Sequence, residues 1–341
     1  MVMMDKILEV NNVKTSFYTH LGEVQAVRGA NFTMEKGDIL GIVGESGSGK
    51  SVTALSIMRL VDHPGRIKEG QIIFDGKDIT NMSHKEMNDI RGNDLSMIFQ
   101  DPMTSLNPVY TIQNQMIEVI QRHQKISKSK AIEQAIHMLH IVGIPEPEKR
   151  IKSYPHEFSG GMRQRVMIAM ALSCSPKLLI ADEPTTALDV TIQAQILDLM
   201  KNIKKELDTS IILITHDLAV IAEICTNIIV MYGGMIMEKG SVDEIFYDSQ
   251  NPYTIGLHKS VPKINADQNE RLIPIEGSPP DLLAPPKGCP FSTRCPHVMK
   301  TCLEKMPPMF ELSKTHSSAC WLLHKDAPAV EGYKKGSGEN E

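Results

Sequence analysis

Short apolar runs, each ending in polar residues, recur along the first two thirds of the chain. They are "ILGIV" at 39–43, "LSMIF" at 95–99, "LLIA" at 178–181 and "IILI" at 211–214. Such runs are typical of strands buried in a parallel sheet, whose functional side chains lie at the strand ends. Apolar residues at helical spacing fill the segments "IQNQMIEVIQRH" and "SKAIEQAIHMLHIVGI". The pattern predicts an α/β fold with a sheet core.

A glycine-rich loop follows the first of these predicted strands. The segment "GESGSGKS", residues 44–51, matches the phosphate-binding pattern G-x-x-x-x-G-K-[ST] between a strand and a helix. Its glycines allow backbone N–H groups to turn towards a phosphate chain. Lys50 supplies positive charge for the β and γ phosphates, and the Ser51 hydroxyl can bind Mg²⁺. The predicted nucleotide-binding residues are Gly44, Glu45, Ser46, Gly47, Ser48, Gly49, Lys50, Ser51 and Val52.

Two carboxylates follow the apolar run at 178–181. Successive side chains of a strand point to opposite sides, so Asp182 and Glu183 do not share one task. Asp182 suits a Mg²⁺ ligand, and Glu183 suits the general base that activates the attacking water. A solvated acidic strand end is the alternative when such a motif stands alone. The glycine-rich loop in the same chain favours the catalytic interpretation.

Two other runs end in polar side chains of interest. His216 follows the run at 211–214, where it can reach a γ-phosphate. A histidine after a strand is, taken alone, more often an ordinary hydrogen-bonded residue. Gln100 follows the run at 95–99, and its amide can bind Mg²⁺ and sense the γ-phosphate. The predicted catalytic residues are Lys50, Gln100, Glu183 and His216, and the predicted Mg²⁺ ligands are Ser51, Gln100 and Asp182.

A second anion-binding turn is predicted in "EFSGGMRQRVMIAMALSCSP". Ser159 is a candidate N-cap, and Gly160 and Gly161 open a helix that ends before Pro176. Helix N-termini bind anions. Because the glycine-rich loop already holds the phosphates of its own nucleotide, we expect this turn to close over a nucleotide held by another subunit.

The order of these motifs resembles that of the ABC-type ATPases. "GESGSGKS", Gln100, "FSGGM", "LLIADEP", "ALD" and His216 resemble the Walker A, Q-loop, signature, Walker B, D-loop and switch histidine. The resemblance implies a P-loop NTPase fold with a mixed sheet core and a helical subdomain at about residues 101–175. It also implies that two subunits sandwich two ATP molecules, with each site formed by both chains. Asp189 would then contribute to the nucleotide site, and Phe17, or Tyr18 beside it, would stack on adenine.

The signature departs from the family's commonest form, LSGGQ. Phe158 replaces the leucine and Met162 replaces the glutamine. The resemblance therefore does not say what replaces the contacts of that glutamine amide. Ser159, Gly160 and Gly161 match the family's motif, and the roles of those positions are expected here.

The composition changes near residue 250, since 12 of the 20 prolines lie from Pro252 onward. Regular secondary structure is expected to thin out there. The segments at 251–263 and 276–296 resemble the extension of ATP-binding subunits of oligopeptide and dipeptide ABC importers. Importers of nickel or another small solute share parts of it and are the alternative. The predicted domains are an ATP-binding domain at 1–250, an extension at 251–325 and a disordered tail at 326–341.

Four of the six cysteines cluster in this extension with the spacing C-x5-C-x6-C-x17-C, as Cys289, Cys295, Cys302 and Cys320. Four thiolates suit a [4Fe–4S] cluster or tetrahedral Zn²⁺. The C-x2-C knuckle of zinc ribbons is absent, and the resemblance implies a cluster, because some members of that family hold one there. A third interpretation is that the four thiols bind no metal. His297, His316 and His324 are alternative zinc ligands, although a surface histidine is the favoured interpretation of each. A structural staple, a redox sensor and a regulatory module all stay open.

Charge and hydropathy constrain the partners. A net charge of −5 argues against sequence-independent nucleic-acid binding, which requires excess basic residues. A soluble ABC ATPase acting on ribosomes or DNA is also less favoured by the single P-loop and the lack of a heptad insertion. The N-terminus lacks a signal-peptide pattern, and the apolar runs are too short to span a bilayer. The resemblance implies a peripheral protein at the cytoplasmic face, with a second ATPase subunit, homologous rather than identical, two permease subunits and, indirectly, an external peptide-binding protein.

Overall fold

The computed structural model describes residues 5–100, 105–186, 189–260 and 274–336. These residues form two compact units. Within these ranges, the first unit takes in residues 5–8, 34–39 and 74–214, and the second takes in residues 9–33, 40–73 and 215–336. The glycine-rich loop and the segment beyond residue 250 therefore belong to the same unit.

The described part of the chain contains helices of 4 to 18 residues, several of them capped by a polar side chain. They are α1 (Lys50–Ile57), α2 (His84–Ile90), α3 (Ile112–Gln124), α4 (Lys128–Ile141), α5 (Pro147–Arg150), α6 (Gly160–Leu172), α7 (Val190–Leu207), α8 (Leu218–Ile224), α9 (Val242–Tyr247), α10 (Pro252–Lys259) and α11 (Lys300–Glu304). The side chains of Thr111, Ser127 and Ser159 accept hydrogen bonds from the first turns of α3, α4 and α6. Each cap satisfies a backbone N–H that has no partner within its helix. The helical spacing in the sequence thus predicted α3 and α4 correctly.

The strands are β1 (Lys6–Thr19), β2 (Gly22–Glu35), β3 (Ile39–Val43), β4 (Gly65–Phe74), β5 (Lys77–Asp78), β6 (Leu95–Ile98), β7 (Leu178–Asp182), β8 (Ser210–Thr215), β9 (Asn227–Tyr232), β10 (Met235–Ser241), β11 (Phe310–Glu311) and β12 (Ser317–Ser318). Every residue of β3, β6, β7 and β8 is buried. The four apolar runs are therefore core strands, as the sequence predicted.

The first unit contains three adjacent parallel strands in the order β6, β7, β8. Ile98 lies opposite Ala181, and Asp182 lies opposite Ile214. Because parallel strands end at the same edge, this register brings the polar residues after β6 and β7 together.

The second unit contains a run of strands in the order β11, β12, β10, β9, β3. β3 is parallel to β9, with Val43 opposite Val230, whereas the β9–β10, β10–β12 and β11–β12 pairs are antiparallel. β2, β1 and β4 lie side by side in another sheet. The prediction of an α/β protein with a mixed sheet core is confirmed.

The C-terminal segment is joined to this unit by a buried polar pair. Glu238 of β10 lies opposite Ser318 of β12. Its Oε1 lies 2.9 Å from Nε2 of His316 and accepts a hydrogen bond of 2.6 Å from the backbone N–H of Gln250. His316 and Glu238 are almost fully buried. The surface interpretation of His316 was therefore wrong, because β12 pairs with β10 and covers the imidazole.

The residues after 325 also contact this unit. The side chain of Lys334 pairs with Asp248, and the Gly336 N–H donates to the carbonyl of Leu323. The sequence predicted a disordered tail over 326–341. Lys334 and Gly336 instead make these hydrogen bonds, and residues 337–341 lie outside the described residues.

Glu244, in the first turn of α9, joins that helix to the loop before β12. Its carboxylate accepts hydrogen bonds from the hydroxyls of Ser313, Thr315 and Ser241 and from the Ser241 N–H. Partial burial acts to raise the pKa of Glu244, but these hydrogen bonds outweigh it and lower the pKa from 4.5 to about 2. The ionised carboxylate therefore stabilises this junction.

We expect Glu244→Gln to destabilise the protein by about 1 kcal/mol at pH 7, because its hydrogen bonds involve a charged group but water partly screens that charge. A carboxyl with a lowered pKa contributes stability fully above its unfolded value of 4.5 and loses it as the pH falls towards about 2. The unfolding midpoints of variant and wild type should therefore converge below pH 4.5 in thermal scans. Glu118→Gln, on the exposed face of α3, is the control. A gap that stays constant with pH would contradict the role of the charge.

Candidate functional site

The glycine-rich loop wraps around the ammonium group of Lys50. Lys50 Nζ donates hydrogen bonds to the carbonyls of Gly44 (2.7 Å) and Glu45 (3.0 Å), and the side chain is 6% exposed. Gly49 caps α1 with a φ of 100°. A positive charge is thus fixed inside a loop at the start of a helix, an arrangement suited to a chain of phosphates.

The first glycine of the loop permits a close backbone approach. At Gly44, where φ is 152°, a Cβ atom would lie 2.1 Å from the carbonyl oxygen of Met231. No side chain fits at that distance, so the strand-to-loop turn requires glycine here.

Phe17 and Tyr18, the two candidates for adenine stacking, have different surroundings. The guanidinium of Arg66 lies 4.3 Å from the centre of the Tyr18 ring and covers one of its faces. The Phe17 ring packs close to Gly65, where a Cβ atom would lie 2.6 Å from it. Both rings are half-buried, and each has a neighbour on one side.

Glu183 is held by hydrogen bonds at the end of β7. Its Oε2 accepts from Nε2 of Gln100 and from Oγ1 of Thr186, each at 2.9 Å, and its N–H donates to the carbonyl of Ile214. Its φ of 48° lies in the left-handed region, which non-glycine residues adopt at a cost. The first unit therefore brings the side chains of Gln100 and Glu183 into contact.

Asp182 and His216 stand at the ends of β7 and β8. Asp182 is 4% exposed, whereas His216 is exposed and follows Thr215 directly. Gln164 of α6 donates a hydrogen bond of 2.7 Å to the carbonyl of Pro184. This bond ties the signature helix to the loop that follows Glu183, a link with no signal in the sequence.

The signature turn faces outward. Ser159 caps α6, its hydroxyl accepting from the Met162 N–H at 3.4 Å, and Ser159 and Gly160 are exposed. Phe158 is 3% exposed. The phenylalanine that replaces the usual leucine thus remains a buried apolar anchor, and the turn stays accessible to another chain.

Asp189 caps α7. Its carboxylate oxygen accepts a hydrogen bond of 3.0 Å from the N–H of Ile192. This bond fixes the start of the helix after the predicted D-loop, whose residues 187 and 188 lie outside the described residues.

The four clustered cysteines line one pocket in the second unit, together with His297 and Phe291. Burial, with a smaller contribution from the neighbouring thiols, raises the pKa of the Cys289 and Cys320 thiols to about 12. As placed, however, no three His, Cys, Asp or Glu side chains in the described ranges form a group that could hold a metal ion. The sulfur donors are gathered, but the predicted metal geometry is not present.

Two residues that contact the nucleotide-binding loop carried no signal in the sequence. The hydroxyl of Tyr253 accepts a hydrogen bond from the Glu45 N–H at 2.9 Å, and Arg294 forms an ion pair of 2.7 Å with the Glu45 carboxylate. Both come from the segment beyond residue 250. The periodicity of apolar residues does not reveal such long-range contacts. The sequence shows only that Arg294 precedes Cys295, one of the four clustered cysteines.

No helix in the part of the chain that the structure describes is long and apolar enough to cross a bilayer.

Comparison with known proteins gives two family matches. Residues 27–186 match the family described as ABC transporter, and residues 237–302 match the family described as Oligopeptide/dipeptide transporter, C-terminal region. The second match includes three of the four clustered cysteines.

Individual relatives match over nearly the whole chain. The oligopeptide transport ATP-binding protein OppD of Bacillus subtilis is 57% identical, covering 97% of this chain and 93% of the relative. The dipeptide transport ATP-binding protein DppD of the same organism is 53% identical, covering 95% and 97%. Among solved structures, the ATP-binding cassette MJ0796, a dimer bound to ADP and Pi, has a TM-score of 0.62 and 26% identity, covering 69% of this chain and 98% of that one. The chain therefore belongs to the ABC transporter family, within the group of oligopeptide and dipeptide transport ATP-binding proteins.

Proposed function

We propose that this chain hydrolyses ATP to power the uptake of oligopeptides and dipeptides through a membrane permease. The observation that carries the proposal is the presence, in one chain, of the ABC transporter match and the C-terminal region of peptide transporters. The identity of 57% to an oligopeptide transport protein supports peptides over nickel or another small solute.

The proposed roles of the side chains follow from their chemistry. Lys50 binds the β and γ phosphates, and Phe17 stacks on adenine. Glu183 accepts the proton of the attacking water, and His216 contacts the γ-phosphate. Ser159, Gly160 and Gly161 act on the nucleotide of a second subunit, and the exposure of Ser159 and Gly160 supports that role.

Mg²⁺ is the proposed cofactor of hydrolysis. The hydroxyl of Ser51, the amide oxygen of Gln100 and the carboxylate of Asp182 are the oxygen donors that this hard cation prefers. When bound, the ion would neutralise phosphate charge as it develops. Gln100 would also report on the γ-phosphate, since its amide already contacts Glu183.

The proposed assembly is a peripheral complex at the cytoplasmic face of the membrane. It contains this chain, a homologous second ATPase subunit and two permease subunits, with an external peptide-binding protein acting indirectly and no nucleic acid. Relatives named as transport ATP-binding proteins support the permease partners.

Reconstitution in proteoliposomes tests the function. The complete transporter should hydrolyse ATP faster when peptide-loaded binding protein is added, and it should accumulate labelled peptide inside the vesicles. Nickel in place of peptide should have no effect. Stimulation by nickel alone would contradict the peptide assignment.

We further propose that Cys289, Cys295, Cys302 and Cys320 hold a [4Fe–4S] cluster, with Zn²⁺ as the alternative. Four sulfur donors around one pocket suit either group. Binding would require the thiols to release protons and draw closer, so it would stabilise the fold of the extension.

Protein purified without oxygen should contain about four irons and four sulfides per chain, with broad visible absorption. Cys295→Ser should lose the metal, whereas Cys174→Ser, remote from the cluster in sequence and buried, should keep it. One zinc per chain would select the alternative, and protein free of both metals would contradict a metal site.

A further inference from the structure

Glu45 is the second residue of the glycine-rich loop, and its N–H, its carboxylate and its carbonyl each form hydrogen bonds. Its N–H donates to the hydroxyl of Tyr253 at 2.9 Å. Its carboxylate accepts two hydrogen bonds from the Arg294 guanidinium, at 2.7 and 3.2 Å. Its carbonyl accepts from Lys50 Nζ at 3.0 Å. We call Glu45, Tyr253 and Arg294 the Glu45 clamp.

Hydrogen bonds to groups other than Glu45 also fix the side chain of Arg294. Its side chain is only 4% exposed. It donates to the carbonyls of Ile275 (2.9 Å) and Glu276 (2.8 Å) and to the hydroxyl of Tyr232 (3.1 Å). These acceptors leave the guanidinium little rotational freedom, so its planar fork presents two N–H groups to Glu45 in a set direction.

Three packed aromatic rings surround the residues of the Glu45 clamp. The rings of Tyr232 and Tyr253 have centroids 4.5 Å apart, and Phe291 lies 5.3 Å from Tyr253 and 5.4 Å from Tyr232. Phe291 also accepts the N–H of Arg294 at its carbonyl, at 3.0 Å. The turn that carries Cys289 and Cys295 therefore also places Arg294.

The Glu45 clamp affects the position of the Lys50 ammonium, the positive charge that the loop presents to a nucleotide. The carbonyls of Gly44 and Glu45 orient Lys50 Nζ, and both belong to the backbone that Arg294 and Tyr253 hold. A free Glu45 would let these carbonyls move and would spread Lys50 over several positions. Ordering the loop before binding saves the conformational entropy that binding would otherwise lose.

We propose that Arg294 is a positioning residue for nucleotide binding, which acts through Glu45 to hold the glycine-rich loop in its binding conformation. The inference rests on the proposed function in that the loop is taken to bind ATP. It makes the peptide-transporter extension a structural part of the nucleotide site and not only an appendage.

A double-mutant cycle on the full-length chain tests this. ATP affinity is measured by calorimetric titration with Mg²⁺ and a non-hydrolysable ATP analogue, for wild type, Arg294→Gln, Glu45→Gln and the double variant. We expect each single change to weaken binding about five- to tenfold, because each removes the bidentate charged pair. The double variant should be no weaker than the weaker single variant, because both changes break the same contact.

Further variants separate positioning from general stability. Arg294→Lys keeps the charge without the fork and should recover part of the affinity, and Tyr253→Phe should weaken binding about threefold through one lost hydrogen bond. KM for ATP should rise in these variants while kcat stays within about twofold. Lys314→Gln, exposed in the same extension, is the control and should bind like wild type.

The outcomes are distinguishable. Wild-type affinity in both Glu45→Gln and Tyr253→Phe, or losses that multiply in the double variant, would overturn the positioning role. If Arg294→Gln fails to fold, Glu45→Gln and Tyr253→Phe still decide the question. Failure of the wild type itself to bind the analogue would instead overturn the proposed function.

Discussion

Glu183→Gln is expected to retain ATP binding and to lose about 10²- to 10⁴-fold in hydrolysis, the usual contribution of a general base. Glutamine keeps the shape of the side chain and one acceptor oxygen, so the hydrogen bonds from Gln100 and Thr186 can persist. It cannot take a proton from water. Single-turnover hydrolysis, measured together with equilibrium binding of ATP, separates the two effects.

The matched control for this variant is Glu206→Gln, an exposed glutamate on α7. It removes the same charge from the surface of the same unit and should hydrolyse ATP at the wild-type rate. Near-normal turnover in Glu183→Gln would show that another group removes the proton.

Lys50→Met is expected to weaken ATP binding by about 10²-fold or more. Methionine retains most of the side-chain length but not the ammonium, which lies inside the loop between the carbonyls of Gly44 and Glu45. Without that charge, the two carbonyls lose their donor, and the charge-assisted hydrogen bonds to the nucleotide are lost.

Equilibrium titration with a fluorescent ATP analogue measures the loss. Lys85→Met is the control, because Lys85 is exposed on α2 and lies outside the glycine-rich loop. An affinity of Lys50→Met close to that of the control would contradict the phosphate-binding role.

Local sequence patterns predicted the parts of this site that depend on neighbouring residues. The buried strands β3, β6, β7 and β8 follow from runs of apolar residues, and the capping role of Ser159 follows from its position before two glycines. The meeting of Gln100 with Glu183 could be anticipated because parallel strands end at a common edge.

Features that depend on long-range packing could not be anticipated in this way. The left-handed φ of Glu183 results from the turn after β7, and no glycine or asparagine at that position predicts it from the sequence. His316 looked like a surface residue because nothing local shows that β12 pairs with β10. Arg294 lies 249 residues from Glu45, so only the folded chain reveals their contact.

The pairing of β12 with β10 has a consequence for how this protein can be shortened. A chain cut after residue 260 would lose β11 and β12, and the N–H and C=O groups along one side of β10 would be unpaired. It would also leave Glu238 without His316. Open strand edges promote aggregation between molecules. Truncation would therefore yield a self-associating protein, and single substitutions are the sounder route to the role of this segment.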